Sequence, residues 1–210
     1  MNTEVLKAAE GKAVQRAVAI LSSGGLVAFP TDTVYGVGAS PWDADAVMRL
    51  YQVKERPLKL PIPLLLSDEE ELDRVAVLPK PCQELPQAFW PGGLTLVVPK
   101  TDAVSGAVSR RPTVAVRIPD NALARTLIRE SGGVLAVTSA NLSGKPSPRT
   151  AQDVEFQLGG RIRLIVDGGP SRVGVASTIL DCSVTPPRLL RRGAVNEARL
   201  RAVVGALNTD

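Results

Sequence analysis

Histidine is missing altogether from the 210 residues. That absence removes Ser-His-Asp and Cys-His catalysis, imidazole general bases and every histidine-ligated metal site. Cysteine is nearly missing too. Cys82 and Cys182 lie far apart and form no CxxC, which excludes a zinc knuckle and argues against a thiol-redox motif. Two buried structural thiols in a cytosolic chain are expected; a disulfide between them is left open, and nothing requires one. Aromatics make up only 3%. Phe29, Phe89, Phe156, Trp42, Trp90, Tyr35 and Tyr51 are too few and too scattered for an RNA-stacking platform. No apolar run approaches the ~18 residues needed to cross a bilayer. Residues 1–21 carry Glu4 and Glu10 without a continuous apolar stretch, so they do not read as a signal peptide. A cytoplasmic protein with no membrane partner is the expectation.

What is present is ordinary globular chemistry, with 44% hydrophobic and 22% charged residues. The length suits one large domain with a real core, spanning 1–210. Lys and Arg number 25 against 21 Asp and Glu, a net charge of +4. So mild an excess establishes no nucleic-acid binding. The bias to Arg over Lys carries more meaning, because Arg keeps its charge and forks onto phosphate or carboxylate. Genomic composition is the competing explanation, and only position decides.

Helical and strand signals alternate along the chain. Val14, Val18 and Leu21 share one helical face, stopped by Gly24-Gly25. A short strand covers 26–29, and Asp43 caps a helix running to Lys54. Strands are expected at 62–66, 94–98, 114–118, 134–138, 164–166, 178–180 and 188–190. Helices are expected at 82–90, 121–130 and 196–207. Two capping boxes, Ser67-x-x-Glu70 and Thr150-x-x-Asp153, open further helices. This pattern predicts one α/β domain with a mixed, twisted sheet and flanking helices rather than a regular parallel order.

Four segments place polar residues directly after a buried strand, where α/β sheets put their sites. Pro30-Thr31-Asp32-Thr33-Val34-Tyr35-Gly36 offers hydroxyls, a carboxylate and a phenol; a capped turn with a core tyrosine is the plainer reading. Lys54-Glu55-Arg56-Pro57 puts two cations at a helix end, where the helix dipole alone would explain Lys54. Residues 138–149 combine Ser139, Asn141, Ser143, Lys145, Ser147 and Arg149, a composition suited to phosphate through hydroxyls and main-chain N–H groups, or simply to a polar loop. Ser177-Thr178 with Arg191-Arg192 is either a fourth contribution or a strand start and a solvated surface. Together these offer no activated nucleophile. The palette suits phosphoanhydride chemistry, in which the protein positions groups and neutralises charge.

The ordered set of Pro30–Gly36, Lys54-x-Arg56 and Ser139-Ala140-Asn141 resembles the YrdC-type threonylcarbamoyl-AMP synthase family. Trp90-Pro91-Gly92-x-Leu94-Thr95, Val116-Arg117 and Ser177-Thr178-Ile179 extend the likeness, from about 13 to 193. The resemblance implies a single YrdC-like domain with a basic concave face. It implies a nucleotidyltransferase that joins L-threonine, bicarbonate and ATP into threonylcarbamoyl-AMP and pyrophosphate, for threonylcarbamoyladenosine modification of tRNA through partner proteins. Longer members append a second domain, and this chain is expected to lack one.

Carried over by position, Thr33, Arg117, Val137 (through its main chain) and Ser177 would surround threonine, Arg117 pairing with its carboxylate. Arg56, Thr113, Ser139, Asn141, Ser147 and Arg191 would hold ATP, and Lys54 with Arg56 would neutralise the reacting phosphates. Mg²⁺ would bridge those phosphates, with no protein side chain expected to ligate it. One departure stands out. Leu60 and Leu65 occupy positions where many members carry a polar residue and a histidine, so one ATP and one threonine contact would be missing or supplied otherwise. Two alternatives remain open: a paralogue that activates another carbamoyl group, and a non-catalytic module that binds tRNA or double-stranded RNA.

Overall fold

Ten strands join one mixed sheet in the computed structural model, which describes residues 2–209. In chain order the elements are β1 (Glu4–Lys7), α1 (Ala13–Ser22), β2 (Val27–Phe29), β3 (Gly36–Ala39), α2 (Ala44–Lys54), β4 (Leu64–Leu66), α3 (Leu72–Val75), α4 (Leu85–Phe89), β5 (Leu94–Pro99), β6 (Thr113–Arg117), α5 (Ala122–Glu130), β7 (Val134–Ser139), α6 (Ala151–Leu158), β8 (Leu164–Asp167), β9 (Thr178–Asp181), β10 (Arg188–Arg191) and α7 (Glu197–Val204). Their order across the sheet is β1-β8-β2-β3-β7-β4-β6-β5-β9-β10. Parallel pairs (β1/β8, β2/β8, β4/β6, β5/β9) mix with antiparallel ones, so the expected mixed α/β sheet is what forms.

Strand periodicity divides the core into two faces. Leu64 and Leu66 of β4 and Val134 and Ala136 of β7 enter the larger cluster, with α2, α3, α4, α6 and α7 around it. Leu65, Leu135 and Val137 point the other way, into a smaller cluster beneath α1 and α5. Those two helices cover only the β1 side of their face. Over β6, β5 and β9 that face carries no helix of the smaller cluster, and Ala115, Val97 and Ile179 there are half-exposed.

Local signals explain most boundaries. α1 ends where Gly24 takes φ +75°, a conformation that suits glycine, and Gly24 and Gly25 N–H groups close on Leu21 and Ile20. Asp43 and Asn121 cap α2 and α5, and Thr150 with Asp153 forms a full capping box on α6. The other anticipated box does not form. Asp68 is the capping position, without a side-chain cap, and its carboxylate binds Arg125 and Arg129 instead. A 3-10 turn at Glu69–Glu71 and the four-residue α3 replace the expected helix. The segment 82–90 shortens to α4 after a 3-10 turn at Lys80–Cys82. β1 and β3 had no sequence counterpart among the expected strands. Both cysteines are buried and free.

Leu64 is fully buried and pairs with both β6 and β7 at the centre of the sheet. Leu64→Ala is expected to lower stability by about 2–5 kcal/mol in chemical denaturation.

Candidate active site

The bare part of the sheet face becomes the floor of a cavity of about 160 Å³ that opens to solvent. A row of side chains across six adjacent strands lines it: Val137, Leu65, Arg117, Thr95, Ile179 and Arg191, from β7, β4, β6, β5, β9 and β10, with Thr138 and Ser139 continuing β7. The register sets this row, since Leu65 lies opposite Arg117 and Ile179 opposite both Thr95 and Arg191. Loops complete the walls with Thr31, Thr33, Tyr35, Arg56, Ser147, Ala176 and Ser177. Three of the lining residues are arginines and none is acidic, so the hollow is basic.

Arg117 is 5% exposed and fully engaged on one side. Its Nε donates to Gly92 O at 2.7 Å, Nη1 donates to Thr33 Oγ1 at 2.9 Å, and Nη2 pairs with the Asp32 carboxylate. Asp32 is itself buried and also accepts from Asp120 N at 3.1 Å. Burial pushes the Arg117 guanidinium below its ordinary value, while Asp32 acts in the opposite direction. Three of five guanidinium N–H groups are thus occupied, leaving two for a ligand carboxylate. Thr31 Oγ1 donates to Val34 O, so the proton in its 3.0 Å contact with Thr33 comes from Thr33. Thr33, which lines the cavity, then keeps one acceptor lone pair without a protein partner.

Arg56 and Arg191 are cations anchored on carbonyl oxygens. The left-handed Glu55, φ 53°, ends α2 and swings Arg56 out of the helix. Its Nε and Nη2 donate to Leu60 O and Pro61 O at 3.1 and 2.9 Å. Arg191 donates through Nε and Nη2 to Ser177 O, and Nη2 also reaches Ser177 Oγ. Ser177 Oγ meets Thr95 Oγ1 at 2.7 Å. Among the described residues neither arginine has a carboxylate partner, and burial holds both below the usual arginine value. Rigid cations without counter-ions are poised for anionic groups.

Eight anticipated residues therefore meet around one cavity: Thr33, Arg56, Arg117, Val137, Ser139, Ser147, Ser177 and Arg191. Three do not line it. Thr113 lies at the far end of β6, four residues from Arg117. Asn141 turns its Nδ2 onto Leu142 O and Lys145 O, shaping the loop rather than facing a ligand. Lys54 is buried behind that loop, its ammonium bonded to the carbonyls of Ser139 and Asn141. Thr113 and Asn141 were expected to hold ATP and Lys54 to neutralise its reacting phosphates; none of the three lines the cavity. The loop amides also differ from expectation. Ala140, Asn141, Leu142, Ser143 and Lys145 N–H groups all bind protein acceptors, so these five amides are not offered to an anion.

Leu65 is part of the cavity floor, an apolar surface, while Leu60 is exposed and contributes its carbonyl to Arg56. Thr95, Asp32 and Thr31 were within recognised segments but carried no assigned role. Thr95 is brought to Ser177 by the β5/β9 pairing, which linear spacing does not reveal.

Arg117→Ala leaves Asp32 buried without its ion pair, and chemical denaturation should show a loss of about 3–5 kcal/mol. Gly193→Ala is expected to disturb Ser177, because an added Cβ would lie 2.3 Å from Ala176 O and 2.6 Å from Ser177 C. Lys54 gives a pH signature. Burial and the neighbouring Arg56 lower it from 10.5 to about 7, so between those values the unfolded chain holds a proton that the folded chain has lost. Stability conferred at this site rises with pH across that window. The wild-type minus Lys54→Met difference in unfolding free energy, measured against pH, should show that rise.

A family model described as Sua5/YciO/YrdC, telomere recombination, matches residues 19–193. A Bacillus subtilis protein named threonylcarbamoyl-AMP synthase is 46% identical over 200 residues, covering 94% of this chain and 58% of its own length. A Pyrococcus abyssi protein of the same name is 41% identical over 196 residues, covering 92% and 58%. The crystal structure of P. abyssi Sua5 with L-threonine superposes with a TM-score of 0.94 at 38% identity, covering 99% of this chain and 62% of that one. The chain thus spans a little over half the length of these relatives. With the basic cavity at the edge of the α1/α5 layer and the motif residues gathered around it, the chain belongs to the Sua5/YciO/YrdC family.

Proposed function

We propose that this protein is an L-threonylcarbamoyladenylate synthase, joining L-threonine, bicarbonate and ATP into threonylcarbamoyl-AMP with release of pyrophosphate. The observation that carries this reading is the cavity that unites an amino-acid-type cradle with ion-pair-free arginines. The relatives named threonylcarbamoyl-AMP synthase, and the Sua5 structure with L-threonine, support it.

In this reading the two remaining Arg117 N–H groups take the threonine carboxylate and Thr33 accepts from its amine. Threonine nitrogen adds to bicarbonate carbon, and water leaves. A carbamate oxygen then attacks the α-phosphorus of ATP while the bond to the β-phosphate bridging oxygen breaks. Arg56 and Arg191 neutralise phosphate charge as pyrophosphate departs, and Ser139 and Ser147 donate hydroxyl hydrogens to phosphate oxygens. No side chain is asked to be a nucleophile, in keeping with a chain without histidine. Mg²⁺ would enter as part of the nucleotide substrate, held by its phosphates.

Downstream partners that carry the carbamoyl group to tRNA belong to the same proposal, as does a cytoplasmic location. Buried free thiols suit a reducing compartment, and no helix among the described residues is long and apolar enough to cross a membrane.

The test is ATP–pyrophosphate exchange together with mass spectrometry for an acid-labile adenylate. Exchange should require threonine and bicarbonate together, and exchange without either would overturn the reading. Arg56→Ala should reduce turnover by about 10²-fold or more while leaving the unfolding transition in place, since its guanidinium is anchored on loop carbonyls rather than in the core.

A further inference from the structure

Lys54 is an anomaly in the site as described. It is 1% exposed at the end of α2, and its ammonium binds two main-chain carbonyls, those of Ser139 and Asn141. No carboxylate pairs with it among the described residues. The surrounding elements supply none either. Just past its own helix Arg56 lies two residues on and repels it, Tyr51 on the helix stands beside Arg56 and Arg110, and the exposed Glu55 is paired outward with Arg161. The 139–145 loop presents carbonyls, with Ser143 N–H donating to Lys54 O and the Lys145 side chain exposed. From α6, Gln157 reaches this loop through Leu142 N and Pro146 O. A buried cation without a counter-ion is costly, and buried lysines usually respond by losing their proton.

The uncompensated charge lies one residue behind the cavity. Ser139 lines the cavity and gives its carbonyl to Lys54, and Arg56 lines it from the other flank. We propose that Lys54 is a positioning residue whose charge is completed by the nucleotide: it acts through the Ser139–Asn141 loop without touching phosphate, and nucleotide binding draws a proton from solvent onto its nitrogen.

The chemistry is consistent at each stage. A neutral amine has two N–H groups, matching the two carbonyls, so the loop stays tethered before a ligand arrives. Polyanionic phosphates in the cavity then favour the charged form across a poorly solvated gap, where screening is weak. With the free group at about 7, most of it is neutral one unit higher, and each bound nucleotide would take up close to one proton there. The missing histidines make the signal clean, because imidazole contributes nothing in this range.

This inference rests on the nucleotide reading above, and one experiment separates the two. The full chain is titrated calorimetrically, at about pH 8, with the magnesium complex of a non-hydrolysable ATP analogue in two buffers of different ionisation enthalpy. The expected result is uptake of nearly one proton per nucleotide in the wild type. In Lys54→Met uptake should fall to near zero, with binding weakened about tenfold or more. Lys54→Arg, which keeps a permanent cation, should likewise show no uptake and serves if the methionine variant does not fold. Binding without uptake in the wild type, or unchanged uptake in either variant, overturns the role of Lys54 alone. Failure of the wild type to bind the nucleotide overturns the nucleotide reading as well.

Discussion

Asp32 and Arg117 meet inside the protein, and the geometry of the cavity is organised around that ion pair. Arg117 comes from the end of β6 and Asp32 from the turn between β2 and β3, two parts of the sheet separated by β7 and β4. A buried ion pair is no guarantee of net stability, because desolvating two charges offsets their attraction. What it supplies here is placement. With Gly92 O and Thr33 Oγ1 also bonded, the guanidinium is held in one orientation, and Arg117 and Thr33 line the same hollow.

The same economy of motion recurs around the cavity. Arg56 and Arg191 are fixed by carbonyl oxygens of neighbouring loops instead of by carboxylates, so they are ordered without being neutralised. Lys54 likewise holds the 139–141 turn by two carbonyls, beside a pocket whose arginines meet no acidic lining. Preorganised donors of this kind favour negative charge without reorganising when it arrives. That is the chemistry expected of a protein whose substrates bring their own nucleophile.

The fold provides room for this by leaving a sheet face half covered. α1 and α5 pack over the β1 side and stop, so that side chains which would otherwise enter a core become a floor. Alternation along each strand then puts Leu65, Arg117, Thr95 and Ile179 on that floor, while their neighbours Leu64, Val116, Leu94 and Leu180 are buried on the opposite face. A change of one residue in register would exchange these sets.

Much of this was determined by the sequence alone. The absence of histidine narrowed the chemistry, the capping residues and glycine stops set the long helices, and the ordered motifs marked eight residues that share the cavity. These are local signals, carried by the backbone preferences and chemical types of neighbouring residues. Tertiary structure alone decided the rest. It withdrew Lys54, Asn141 and Thr113 from the cavity wall, closed the amides of 140–143 on protein acceptors, and joined Thr95 to Ser177 and Asp32 to Arg117. Such outcomes depend on which strands become neighbours and which hydrogen-bond donors find an internal partner first. Those are non-local competitions that no stretch of sequence settles on its own.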